Sequence, residues 1–180
     1  MAIEKEAPLI EMHSVWGELK FKRLAGSEQF RKEIPKLFDL ANAEILMTTG
    51  LSHEFYNDSA VKNALCNAIA REVKIRIIVD GRKEDRDITS ELSNINWMKE
   101  KIKNRQIEIK KCEREIKHIM VVDKRHSRLE DTHALTVRED YQYKNKIFYD
   151  DPFAKYLVDG FNAIWKDDCD DIGLSEENKL

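Results

Sequence analysis

The stretch Lys117-His118-Ile119-Met120-Val121-Val122-Asp123 decides how this chain is read. It is a short apolar run that carries one histidine and stops at an aspartate. After a turn at Lys124-Arg125 a second run follows, His126-Ser-Arg128-Leu-Glu130, and His133 lies just beyond it. β-branched residues with period-two alternation predict two strands joined as a hairpin. Alternation puts Ile116, His118, Met120 and Val122 on one face, and Arg128 with Glu130 on one face of the second strand. The hairpin is expected to bring a carboxylate and a guanidinium close to the imidazole.

Working outward, the chain reads as helix, strand, helix, strand, helix, strand, strand, helix. Ser27 is the expected cap of the first helix, with Phe30, Ile34, Leu37, Phe38 and Ala41 on one stripe and Pro35 as a kink. Glu44-Ile-Leu-Met-Thr48-Thr49-Gly50 predicts a buried strand that ends in hydroxyls. Asn57-Asp58 opens a second helix, and Val73 to Val79 predicts a strand that stops at Asp80-Gly81-Arg82. Ile88, Leu92, Ile95 and Ile102 fall on one helix, followed by a short strand from Gln106 to Lys110. A further strand is expected around Leu135 and Val137. A last helix starts at Asp151-Pro152 and carries Phe153, Tyr156, Leu157, Phe161 and Ile164 on one face.

This order predicts an α/β fold, a layered mixed sheet flanked by helices. Residues 1–26 are expected to be an N-terminal arm, with Val15 to Leu24 a short strand or a docking segment. Residues 27–168 form the domain and 169–180 an acidic tail.

Of the 180 residues 42% are hydrophobic and 36% charged, which fits one globular domain and excludes a disordered chain. The net charge of -3 gives no global attraction to nucleic acid, so any phosphate binding has to be local. No apolar run reaches the length of a membrane span, and no signal-type segment opens the chain. The three cysteines, Cys66, Cys112 and Cys169, are scattered singly, which favours unpaired thiols and a cytoplasmic location. No metal spacing is present, and no cofactor is expected.

Ligands of open α/β sheets collect at the carboxyl ends of strands, where Thr48, Thr49, Asp80 and Arg82 fall. Hydroxyls, loop amides and Arg82 suit phosphate oxygens, and the same residues also suit ordinary turns. His118, Glu130 and His133 are the candidate catalytic groups, with Arg128 as the anion-binding one. Together they suit acid–base or nucleophilic work on a phosphodiester. The same residues equally suit a divalent metal, although their spacing matches no strong metal motif, and a structural ion-pair network or a hydrogen-bonded core histidine also accounts for them. His13, His53 and His126 read as surface or turn residues.

From about residue 27 the chain resembles the phospholipase D-like superfamily. The resemblance rests on the layout of Thr48-Thr49-Gly50, Asp80, the strand ending Val121-Val122-Asp123, and the closing Phe161-Asn-Ala-Ile-Trp165. That superfamily carries the motif HxKxxxxD, and two copies meet in one active site. With Asp123 on the motif aspartate, Ile116 stands at the nucleophilic histidine and His118 at the lysine. Arg128-Leu-Glu130-Asp-Thr-His133 replaces the usual Gly-Ser-x-Asn. The resemblance implies a homodimer, a place for Asp123 in the site, and a phosphate-bearing ligand or nucleic acid as partner. Ile116 implies weak or lost phosphodiesterase activity. The alternatives are an active phosphodiesterase or nuclease that uses His118 or His133, and the ligand-sensing module of a regulator.

Overall fold

A computed structural model describes residues 9–14, 17–81, 87–130 and 145–172. Its centre is a nine-stranded mixed sheet in the order β1-β2-β8-β7-β6-β3-β4-β5-β9. In chain order the strands are β1 (Leu9–Ser14), β2 (Gly17–Leu24), β3 (Glu44–Thr49), β4 (Lys74–Val79) and β5 (Glu108–Cys112), then β6 (Ile119–Val122), β7 (His126–Glu130), β8 (Asn145–Tyr149) and β9 (Cys169–Asp171). β3, β4 and β5 run parallel, and every other pairing is antiparallel.

The helices are α1 (Gly26–Asp39), α2 (His53–Tyr56), α3 (Ser59–Ala70), α4 (Ile88–Ser93), α5 (Asn96–Lys103) and α6 (Ala154–Asp167). Sheet alternation sorts them into two layers. Ile45, Met47, Met120 and Val122 point to one face, where α1, α3, α4 and α5 supply Leu37, Leu65, Leu92 and Met98. Leu46, Ile78 and Val121 point to the other, where α6 supplies Val158 and Phe161. Parallel strands need crossover helices, and α2–α3 and α4–α5 are those crossovers. No helix among the described residues is long and apolar enough to cross a membrane.

The expected α/β layering is therefore present, with several local departures. Within residues 1–26, assigned to an arm, the short strand weighed for Val15 to Leu24 is present as β2, and with β1 it forms a hairpin that extends the sheet beside β8. Glu33 on α1 holds that hairpin: it is fully buried and pairs with Lys22 at 2.9 Å and Lys36 at 3.1 Å. α1 starts one residue before Ser27, on an Ala25 cap without a side-chain bond, and Pro35 lies within it. The helix expected from Ile88 to Ile102 is two helices, because the chain turns at Asn94-Ile95. Residues 169–171, assigned to an acidic tail, pair with β5 as an edge strand. The strand expected around Leu135 and Val137 lies outside the described residues, and so do His133 and Arg82. His126, read as a surface or turn residue, is buried, and its Nδ1 accepts a 3.2 Å bond from the backbone of Asp150.

Candidate functional site

The site lies where β3 and β4 end and β6 begins. Thr48 makes the junction: its hydroxyl donates to the carbonyl of Lys117 at 2.6 Å and accepts from the amide of Ile119 at 2.7 Å. One buried side chain thus satisfies backbone groups on both sides of His118, and the histidine is held at the mouth of the strand. Gly50 closes one side of the ring. A Cβ there would come within 3.2 Å of His118 Cε1.

The imidazole is clamped from two directions. Its Nδ1 stands 3.1 Å from Glu130 Oε2, and its Nε2 stands 3.2 Å from Asp80 Oδ2. Each ring nitrogen therefore faces a carboxylate oxygen. Glu130 also accepts from Arg128 at 2.6 Å.

Arg128 is 6% exposed, and its Nε donates to Asn145 Oδ1 at 2.6 Å. Its guanidinium lies 4.9 Å from the centre of the Phe30 ring. Burial pulls the arginine below its ordinary pKa, and the Glu130 carboxylate pushes back. Nε and one terminal nitrogen carry all of these bonds. The other terminal nitrogen, Nη1, bonds to no described residue.

A cavity of about 460 Å³ opens above these groups. Leu24, Phe30, Met47, Phe55, Tyr56 and Met120 make apolar walls, while His118, Arg128, Glu130 and Asn145 make a polar end. Gly26 and Ser27, the first residues of α1, also line it. Burial pushes the Tyr56 phenol up to about 12, although a hydrogen bond from Thr49 and the charge of Arg128 work against the rise. Tyr56 is therefore a neutral wall residue.

Of the residues named from sequence, His118, Glu130, Arg128, Thr48, Thr49 and Asp80 come together here. Thr48 and Asp80 act through His118, while Thr49 reaches the cavity beside Tyr56. Asp123 does not belong with them. It lies five residues from His118 along β6, at the far end of the sheet. There it accepts backbone bonds from Asn42, Ala43 and Glu44 at 2.8, 2.9 and 2.8 Å. At about 3.3 Å per residue that is roughly 16 Å away. Asp123 takes the left-handed conformation at φ 53°, as the β6–β7 turn requires.

Ile116 does not share the face of His118 either. Strand pairing starts only at Ile119, and Ile116 turns into the second core with Leu46, Ile78 and Val121.

Sequence reading missed Asn145 and the α1 terminus. Asn145-Lys-Ile147-Phe-Tyr149 alternates in strand fashion and carried a usable signal. No group of three or more metal-ligating side chains was found among the described residues.

No family model and no curated protein matches the sequence. Solved structures do match in fold. TrmBL2, an archaeal chromatin protein whose structure shows a novel mode of DNA binding, superposes with a TM-score of 0.65 at 15% identity. The match covers 94% of this chain and 57% of that one, so the chain spans little more than half of TrmBL2. Nuc from Salmonella typhimurium, a phospholipase D family member, gives a TM-score of 0.60 at 13% identity over 86% of this chain and 98% of its own. NucT from Helicobacter pylori gives 0.59 at 10% identity over 86% and 99%. With these matches over 86% of its length, the chain has the phospholipase D-like fold.

Proposed function

We propose that this domain binds a small phosphate-bearing ligand in the His118–Arg128 cavity and has lost phosphodiesterase chemistry. The observation that carries the reading is Arg128, a buried guanidinium at the cavity with Nη1 unbonded among the described residues. A buried cation with a terminal nitrogen unbonded among the described residues suits a phosphate oxygen, and the start of α1, where Ala25 makes no side-chain cap bond, adds amides and the positive end of its dipole at the same cavity. The apolar walls suit an organic body attached to the phosphate. A cavity of this size fits a small ligand better than a duplex, and the net charge of -3 also speaks against a phosphate-lined groove.

Loss of catalysis is supported by two positions. Ile116 has no nucleophilic atom and points into the second core. Both nitrogens of His118 face carboxylate oxygens, so neither is turned toward a ligand in the cavity.

Melting temperatures with inorganic phosphate, nucleoside monophosphates and sugar phosphates test the binding, alongside release of nitrophenol from bis-p-nitrophenyl phosphate. The reading expects a ligand-dependent rise that Arg128→Gln removes, and no release. Release that His118→Ala abolishes would establish a working phosphodiesterase instead. The resemblance also carries a homodimer, which light scattering tests.

A second reading is a sensing module. It is favoured by the TM-score of 0.65 to TrmBL2 over only part of that chain. It predicts that a DNA-binding partner responds to the same ligand.

A further inference from the structure

We propose that Cys112 and Cys169 form a reversible cross-strand disulfide that fastens the last edge strand to the sheet. The two cysteines stand directly opposite each other in the antiparallel β5–β9 pair. Residues so placed have Cα atoms about 4.5 or 5.5 Å apart, inside the roughly 4.4–6.8 Å range that a disulfide spans. Opposed residues also send their side chains to the same face. Cys112 is fully buried in the second core and Cys169 packs against it. The Cys112 sulfur lies near enough to Cys169 to raise its thiol pKa.

The place gives the bond a consequence. β9 has three residues, and it follows α6 directly through Asp168. Short edge strands are the parts of a sheet most easily lost. At the other side, Cys112 is anchored to the strand end that holds Asp80: a Cβ on Gly81 would lie 1.8 Å from the Cys112 carbonyl oxygen. A disulfide would therefore join β9 to the strand end packed against Asp80-Gly81.

The chemistry balances with glutathione disulfide as oxidant. Cys169, the partly exposed member, loses its proton and attacks one sulfur, forming a mixed disulfide and releasing one glutathione thiolate. The Cys112 thiolate then attacks the Cys169 sulfur and releases the second. Two protons and two electrons leave the protein thiols, and two glutathione molecules result. Burial and the neighbouring Cys112 sulfur push the Cys169 thiol up to about 12, so the first step is slow at neutral pH and quickens as pH rises.

The test uses the full chain in glutathione buffers of graded ratio at pH 7 and 8.5, quenched with acid, alkylated and mapped by mass spectrometry without reduction. The expected result is an intramolecular peptide pair joining Cys112 to Cys169, with Cys66 alkylated. A rise in melting temperature of about 5–15 °C should accompany it. Cys66→Ser keeps both results, and Cys169→Ser, chosen because Cys169 is the less buried partner, loses both. The proposal is overturned if both thiols stay alkylatable at pH 8.5 in excess glutathione disulfide. It also fails if Cys169 stops at the mixed disulfide, or if the bond recovered involves Cys66 or a second chain.

Discussion

His118 and Glu130 meet across the β6–β7 hairpin, Nδ1 to Oε2 at 3.1 Å, and the same carboxylate oxygen takes a hydrogen bond from Arg128 at 2.6 Å. One glutamate thus ties an imidazole to a guanidinium. On its other side the imidazole reaches Asp80 at the end of β4. The chain Asp80–His118–Glu130–Arg128 crosses from β4 to β7 and ends at the cavity. It fixes where the arginine stands, and truncating any member removes one hydrogen-bond partner from a buried or part-buried polar neighbour.

Glu130→Gln tests that linkage. The amide keeps the shape and loses the charge opposite Arg128. Urea unfolding should register a loss of about 1–3 kcal/mol. Binding of a phosphate ligand should weaken less than in Arg128→Gln, because the arginine survives. Equal loss in the two variants would make Glu130 a direct ligand contact.

Ile116→His restores the motif histidine by letter and should not restore activity. Ile116 is 6% exposed among Leu46, Ile78 and Val121. An imidazole buried there without a partner should cost about 2–4 kcal/mol. Lower stability by urea unfolding with no phosphodiesterase activity is the expected outcome; gained turnover would mean that the segment re-registers.

Gly50→Ala puts a methyl 3.2 Å from His118 Cε1. A ring held between two carboxylates has little room to yield, so the variant should lose up to about 1 kcal/mol and bind phosphate ligands more weakly. Unchanged affinity would show that the position of the ring does not matter to the cavity.

Acid should destabilise the protein in two steps. Burial lowers the pKa of His126 below its ordinary 6.5; the charge of Asp150 opposes this and that of Arg125 adds to it. The unfolded chain therefore takes up this proton first. The contribution of His126 is complete above pH 6.5 and is lost as pH falls through that value toward the lower native one. Asp123 follows at lower pH. Burial pushes its pKa up, but bonds from the amides of Glu44, Ala43 and Asn42 outweigh that and hold it below 3.8. Its contribution is present above that value and is lost as pH falls through the native one. His126→Gln should flatten the melting-temperature profile between pH 7 and 5. Asp123→Ala should cost about 1–3 kcal/mol at neutral pH and leave ligand binding unchanged.

The core of the fold was legible because its strands and helices obey simple periods. Val73 to Val79 alternates, Phe30 to Ala41 follows a helical stripe, and Asp58 caps α3 as expected, accepting from Ala60 and Val61. The edges were less legible. β1 and β2 mix Lys20 and Lys22 with Glu11 and Glu18, a polar pattern that reads as an arm until β8 is present to pair with it. Cys169-Asp-Asp171 is too short and acidic to signal a strand, and it is one only because β5 lies beside it. Within the site, alternation alone paired His118 with Glu130 and Arg128. Counting from the motif misplaced Asp123, since a motif gives spacing along a strand and not which end of the sheet faces the cavity. The Arg128 nitrogen left unbonded among the described residues and the place of the α1 start were beyond reach, because both depend on how separate segments meet in space.

The most direct test of phosphate binding is a titration of isotopically labelled protein with phenyl phosphate, which joins an apolar ring to a phosphate monoester. Nuclear magnetic resonance would follow the backbone amide of Ser27 and the Nε–H of Arg128. The account predicts saturable shifts at both with one dissociation constant, lost in Arg128→Gln, and no phenol released. Shifts confined to exposed lysines, or none at saturating ligand, would contradict it.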